Sequence, residues 1–125
     1  MTLVPQPLVV TLNQQQPATV VRTGLTTAVN GISSATGAQV LAADSQRNKV
    51  IFHNPGSVDV LVYQAKDINN AALAPTFAAP GGGFRVFANG GSAEFDGVAF
   101  CQTAFGAIAA SGTGALTIVT QPTNT

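Results

Sequence analysis

Hydrophobic and polar residues alternate one by one along much of this chain. Nowhere does the 3.6-residue stripe of an amphipathic helix persist for three turns. The clearest case is NKVIFHNPGSVDVLVY, from Asn48 to Tyr63. Val50 and Phe52 alternate with Lys49, Ile51 and His53; then Val58, Val60 and Val62 alternate with Asp59, Leu61 and Tyr63. This pattern predicts two strands joined by a turn, a central hairpin with one face in the core. The other face should be wet, yet it carries Ile51, Leu61 and Tyr63 among its charges, so something is expected to lie against it.

Similar runs predict strands over residues 8–12, 18–22, 39–42, 48–53, 59–64, 83–88, 92–96, 98–103 and 115–121, with a short strand and a loop within 23–37. Turn residues separate them. Asn54-Pro55-Gly56-Ser57 has the signature of a type II turn, with Gly56 at the positive-φ position. Ala88-Asn89-Gly90-Gly91-Ser92 is a hairpin signal of the Asn-Gly kind, and residues 110–115, ASGTGA, form another turn. The segment 67–83, DINNAALAPTFAAPGGG, breaks the spacing; it is either an Ω-like cover over one end of the fold or a contact loop. Eight or nine short strands without helices give an all-β antiparallel β-sandwich or barrel. Its expected core is Val50, Phe52, Val58, Val60, Val62, Phe84, Val86, Phe95, Phe100, Leu116 and Ile118.

The 125 residues suit a single domain. Only 8% are charged and the formal net charge is zero, against roughly 25% charged in an average soluble protein. A nucleic-acid partner is not expected, because phosphate contacts require a basic surface. So little charge suggests instead that part of the surface is covered by another protein. No run reaches the ~20 apolar residues of a membrane helix, and the N-terminus lacks the basic start of a signal peptide. A lone Cys101 inside GVAFCQTA reads as a buried structural thiol. Pro5, Pro7 and Pro17 each remove a ladder donor, so residues 1–16 are expected to form an edge strand or an extended arm.

No enzyme is expected, since the residue types for catalysis do not assemble. His53 is the only histidine, too few for the several-histidine metal site of a cupin. No GxSxG elbow accompanies it. Glu94 and Asp96, two apart on one strand, share an exposed face rather than flanking a cleft. PGGGF is followed by neither the helix nor the Lys of a phosphate loop. No cofactor and no metal are expected.

Three stretches carry a resemblance: RNKVIFHNPGSVDVLVYQ, APGGGFRVFANGGSAEFDGVAFCQTA and SGTGALTIVTQ. They present a basic residue before a V-I-x-x-N strand, a small turn, a V-x-V strand, a Pro-Gly-Gly lead-in, an aromatic F-D-G corner and a last G-x-L-T-I-V strand. This order resembles small virion proteins of tailed bacteriophages, both capsid cement (decoration) proteins and domains of fibres and tails. It covers roughly residues 47–121; the residues before Arg47 show no such likeness. A free-standing chain of this length is most similar to the cement proteins of short-tailed phages. The resemblance implies a jelly-roll-like sandwich, made in the host cytoplasm, that forms a homo-oligomer, most simply a dimer. It also implies binding to the major capsid protein on the virion exterior. Ile51, Leu61, Tyr63, Phe77, Arg85 and Phe87 are the expected interface, a half-apolar face dotted with charge. Two alternatives stay open: a receptor- or glycan-binding module of a fibre or tail, and coverage of the same residues by the chain's own N-terminal strands.

Overall fold

The computed structural model describes residues 24–67, 69–78, 82–97 and 99–122; the expected strands at 8–12 and 18–22 and the expected arm 1–16 lie outside them. Eight strands follow in chain order: β1 (Leu25–Ser33), β2 (Ala38–Leu41), β3 (Arg47–Asn54), β4 (Val60–Gln64), β5 (Phe84–Val86), β6 (Gly91–Asp96), β7 (Phe105–Ala109) and β8 (Thr113–Pro122). Among the described residues no helix forms. The strands make two antiparallel four-stranded sheets, ordered β1-β8-β3-β6 and β2-β7-β4-β5. The two pack face to face as an all-β sandwich. Val50, Phe52, Leu116 and Ile118 from the first sheet meet Val60, Val62, Val86, Phe105, Ala107 and Ala109 from the second.

The expected core is largely in place. Val50, Phe52, Val60, Val62, Val86, Leu116 and Ile118 are buried, and Val58, Phe95 and Phe100 pack half-buried against them. Phe84 points the right way but stays 37% exposed, because β5 is an edge strand. Its ring joins Phe95, Phe100, Phe105 and Phe52 in a chain of tilted and edge-to-face contacts with centroids 4.6–6.1 Å apart. Such geometry sets the positive ring edges against negative faces.

Several expectations change. The Asn48–Tyr63 stretch is no hairpin: β3 lies in one sheet and β4 in the other. Its turn crosses the sandwich, and Gly56 is not among the residues with positive φ. An Asx turn forms instead, in which the Gly56 N–H donates to Asn54 Oδ1 at 3.0 Å. Likewise Asn89 (φ 62°) and Gly90 (φ 105°) adopt the conformations their types favour, but they link β5 to β6 across the sheets. The Cys101 run is a turn rather than a strand. The Cys101 N–H donates to the Gly97 carbonyl at 3.2 Å, and the Thr103 Oγ1 to the Phe100 carbonyl at 2.8 Å. β7 takes the strand's place a few residues later. It was hidden because FGAIA is buried on both faces and does not alternate.

Two buried polar residues tie these connections together. Asn54 Nδ2 donates to the Val58 carbonyl at 2.8 Å and to the Val86 carbonyl at 3.0 Å, so one amide joins the ends of β3 and β5 to the connection that leads into β4. The Gly90 N–H returns to the Asn54 carbonyl at 2.8 Å. At the other end of β3 a register shift between Arg47 and Lys49 interrupts the alternation, and Arg47 is only 2% exposed. Its guanidinium donates to the carbonyls of Ala42 (3.0 Å), Thr103 (2.6 Å) and Cys101. Three loop carbonyls are thereby satisfied by one planar fork. The basic residue and the Asn of the V-I-x-x-N pattern thus both hold the fold together.

Candidate functional site: an aromatic and arginine patch on the outer sheet face

The outer face of the β2-β7-β4-β5 sheet answers what covers Leu61 and Tyr63. Both are 4% exposed and form a second apolar cluster with Ile108, closed over by Leu73 and Phe77 from the segment after β4. That segment folds back on itself. Lys66 bridges Ala72, the Leu73 N–H donates to the Ala65 carbonyl at 2.9 Å, and Asp67 Oδ1 accepts from the N–H groups of Asn69 and Ala71. The expectation that Leu61 and Tyr63 present themselves to another protein is therefore corrected. The chain's own loop, through Leu73 and Phe77, lies against them. The long segment is a cover, and it lies over a sheet face rather than an end of the sandwich.

Phe77, Arg85 and Phe87 stand on this same side. Leu61 pairs with both Arg85 and Ile108 in register, which sets the Arg85 side chain on the outer face. The Arg85 guanidinium carbon is 5.0 Å from the Phe77 ring centre and 5.1 Å from that of Phe87. Both are cation–π distances. Asp59 Oδ2 accepts from Arg85 Nε at 3.0 Å and from Nη2, while Asp59 Oδ1 accepts from the Ala88 N–H at 2.7 Å. The Ala88 bond first, and the Arg85 bond second, hold the Asp59 carboxyl below its ordinary range. Phe87 is 59% exposed, and the Arg85 side chain about half. The result is an internally neutral, half-apolar raised patch whose charge is already spent within the chain.

Ile51 is not part of it. It lies half-buried on the outer face of the other sheet, paired with Val119 and Glu94. Lys49 there forms an ion pair with Glu94 at 3.1 Å, and Asp96 sits on the same face, opposite Lys49. Five of the six expected interface residues thus gather on one side, two of them as buried support and three in the patch.

An open groove of about 440 Å³, lined by Gln39, Lys66, Asp67, Asn70, Gln102 and Thr103, is not among the features expected from the sequence. A second hollow, lined by Gln64 and Phe100, shares its Lys66, Asp67 and Thr103. Only the clustering of amide residues around the Lys66-Asp67 turn hinted at it. Cys101 is buried, and burial pushes its thiol up, so that it stays protonated at neutral pH. Among the described residues no group of three or more His, Cys, Asp or Glu side chains gathers as a metal site, and no helix is long and apolar enough to cross a membrane. Comparison with protein-family models, with curated proteins and with solved structures finds no match for this chain.

Proposed function

We propose that this protein is a structural virion protein. It binds the outer surface of a bacteriophage capsid as a homo-oligomer and stabilises the contacts between capsomers. The observation that carries the reading is the patch of Phe77, Arg85 and Phe87, held up by the buried Leu61, Tyr63 and Ile108. Aromatic and arginine side chains are the residues enriched in protein interfaces. Here Arg85 sits on β5, Phe87 directly follows that strand, and Phe77 is packed onto the sheet from the loop after β4. The strand orders β1-β8-β3-β6 and β2-β7-β4-β5 support the jelly-roll part of the reading. Eight strands in two sheets, with most connections crossing between them, is the arrangement of that architecture.

Arg85 is already neutralised by Asp59, so docking this patch on another protein gains little from ion pairing. Binding to undecorated capsids is therefore expected to persist as salt rises to about 1 M, where the Debye length falls to ~3 Å. Decorated shells are expected to resist heat better than bare ones. The variants Phe87→Ala and Phe77→Ala should weaken binding while the fold is kept. Release by moderate salt, or full binding by both variants, rejects the patch as the contact.

The groove favours a second reading, a receptor- or glycan-binding module of a fibre or tail. Its Gln39, Asn70 and Gln102 amides, with Asp67 and Thr103, offer paired donors and acceptors of the kind that hydroxyl-rich ligands require. Binding to host glycans, with none to capsids at any salt, would select it.

A further inference from the structure

The sandwich has four edge strands, and three are short or charged. β2 spans four residues and β5 three, and the Val86 carbonyl of β5 is taken by Asn54. β6 carries Glu94 and Asp96. β1 is different. It runs for nine residues, Leu25–Ser33, without a proline or a charge. One side pairs with β8, and the other meets no strand among the described residues. A bulge between Val29 and Ile32, with Gly31 at φ 70°, is its only interruption. Long uncharged edges invite another strand, and proteins usually blunt them with lysine, proline or brevity. From Gly24 to Ala43, through β1, the turn and β2, there is no ionisable residue at all. Leu25 in this strand is 66% exposed.

We propose that the β1 edge is where a second copy of this chain docks. The two β1 strands pair antiparallel about a twofold axis and join two four-stranded sheets into one. The edge meets itself, so each half must complement its own copy. With no charge from Gly24 to Ala43, no like charges are brought together. Main-chain hydrogen bonds supply the attraction, and the alternation of side chains along Leu25–Val29 sets the register. The inference rests on the proposed function only in expecting a homo-oligomer. It concerns the purified protein, so a lost dimer and lost capsid binding are read separately.

The test is the mass of the full chain in solution across a concentration series, together with hydrogen exchange of the β1 amides. Twice 12.6 kDa is expected for the native chain, with β1 protection that grows as the dimer fills. Ala28 is exposed on β1, away from the core. Ala28→Lys and Ala28→Glu, each with an unchanged circular dichroism spectrum, should each fall to monomer mass, and an equal mixture of the two should recover the dimer. If one variant does not fold, the other and the exchange data still decide. A native chain that is monomeric throughout overturns the proposal. So does a dimer that survives both substitutions, or β1 protection that ignores concentration; the last would mean that residues 1–23 of the same chain cover the edge.

Discussion

The ring of Tyr63 lies across Gly106, its partner in register on β7, and fills the place where a side chain at 106 would begin. A Cβ built there would stand 2.5 Å from Tyr63 Cζ. Gly37 likewise leaves room for the hydroxyl end of the same ring. An aromatic laid over a glycine across a strand pair recovers the packing that the glycine lacks. Gly106→Ala forces this ring off its seat and is expected to cost about 1–3 kcal/mol, the range for overpacking a tight site. Urea unfolding of the single variant and of the variant in a Tyr63→Val background checks it: the loss should shrink when the ring is gone.

Tyr63 is also the only tyrosine, in a chain without tryptophan. Burial raises its pKa above the ordinary value, which is about 10. The stability tied to the protonated ring is fully present below the unfolded value and is lost as pH rises through the folded one. Absorbance of the tyrosinate should therefore appear later on the alkaline side in the folded protein than in urea. Coincident titrations would show that the cover of Leu73 and Phe77 does not seal the ring.

Arg47→Lys should destabilise the domain although it keeps the charge. A single ammonium cannot serve the Ala42, Cys101 and Thr103 carbonyls that the guanidinium serves together. The expected loss is about 2–3 kcal/mol, the scale of a charged hydrogen bond left unmade. Chemical denaturation gives the figure, and a wild-type midpoint would refute the clamp.

Asp59 gives the fold an acid-side dependence. Its pKa is lowered by the Ala88 N–H and by Arg85. The stability it contributes is present above the unfolded value, near 3.9, and is lost as pH falls through the lowered folded one. Asp59→Asn should flatten the drop in melting temperature between neutral and acid pH. It should also free Arg85 and make any binding by the patch more sensitive to salt.

Phe105 and Phe100 separate core from margin. Phe105 is fully buried, whereas Phe100 is half-buried on the turn that carries Cys101. Phe105→Ala is expected to cost about 3–5 kcal/mol, and Phe100→Ala measurably less. Equilibrium unfolding of the two ranks them; the reverse order would mean that the turn closes more tightly than its exposure indicates.

The strands were legible wherever one face is wet. β3, β6 and β8 alternate, and the sequence pattern finds their inward residues; β4 is legible too, although Leu73 and Phe77 cover its outer face. β1 was less so, since a run of Thr, Ala and Val mostly open to solvent has little contrast. β7 was missed because it is buried on both faces. Turns were legible as reversals but silent about destination: Asn89-Gly90 adopts its favoured backbone conformation yet hands the chain to the opposite sheet. Phe77, Arg85 and Phe87 were marked by type, and they do meet. Leu61 and Tyr63 read as interface residues, because the pattern of β4 does not show that Leu73 and Phe77 return to cover them. The burial of Arg47 is not legible in the sequence, since a register shift cannot be read from alternation.

The placing of β8 has a consequence for how the chain acquires its shape. Within its sheet β8 stands between β1 and β3, the strands that come first in that sheet, and it is the last described strand in the sequence. Until it is made, β1 has no partner strand among the described residues, and one side of β3 waits open. Nearly every strand pairs across a long separation, so loop closure must come before the reward of pairing, and such topologies fold slowly. On the ribosome the domain can gather its phenylalanines early, but its first sheet can close only after residues 113–122 have emerged. The sheet that holds both ends of the described chain is thus the last to be completed.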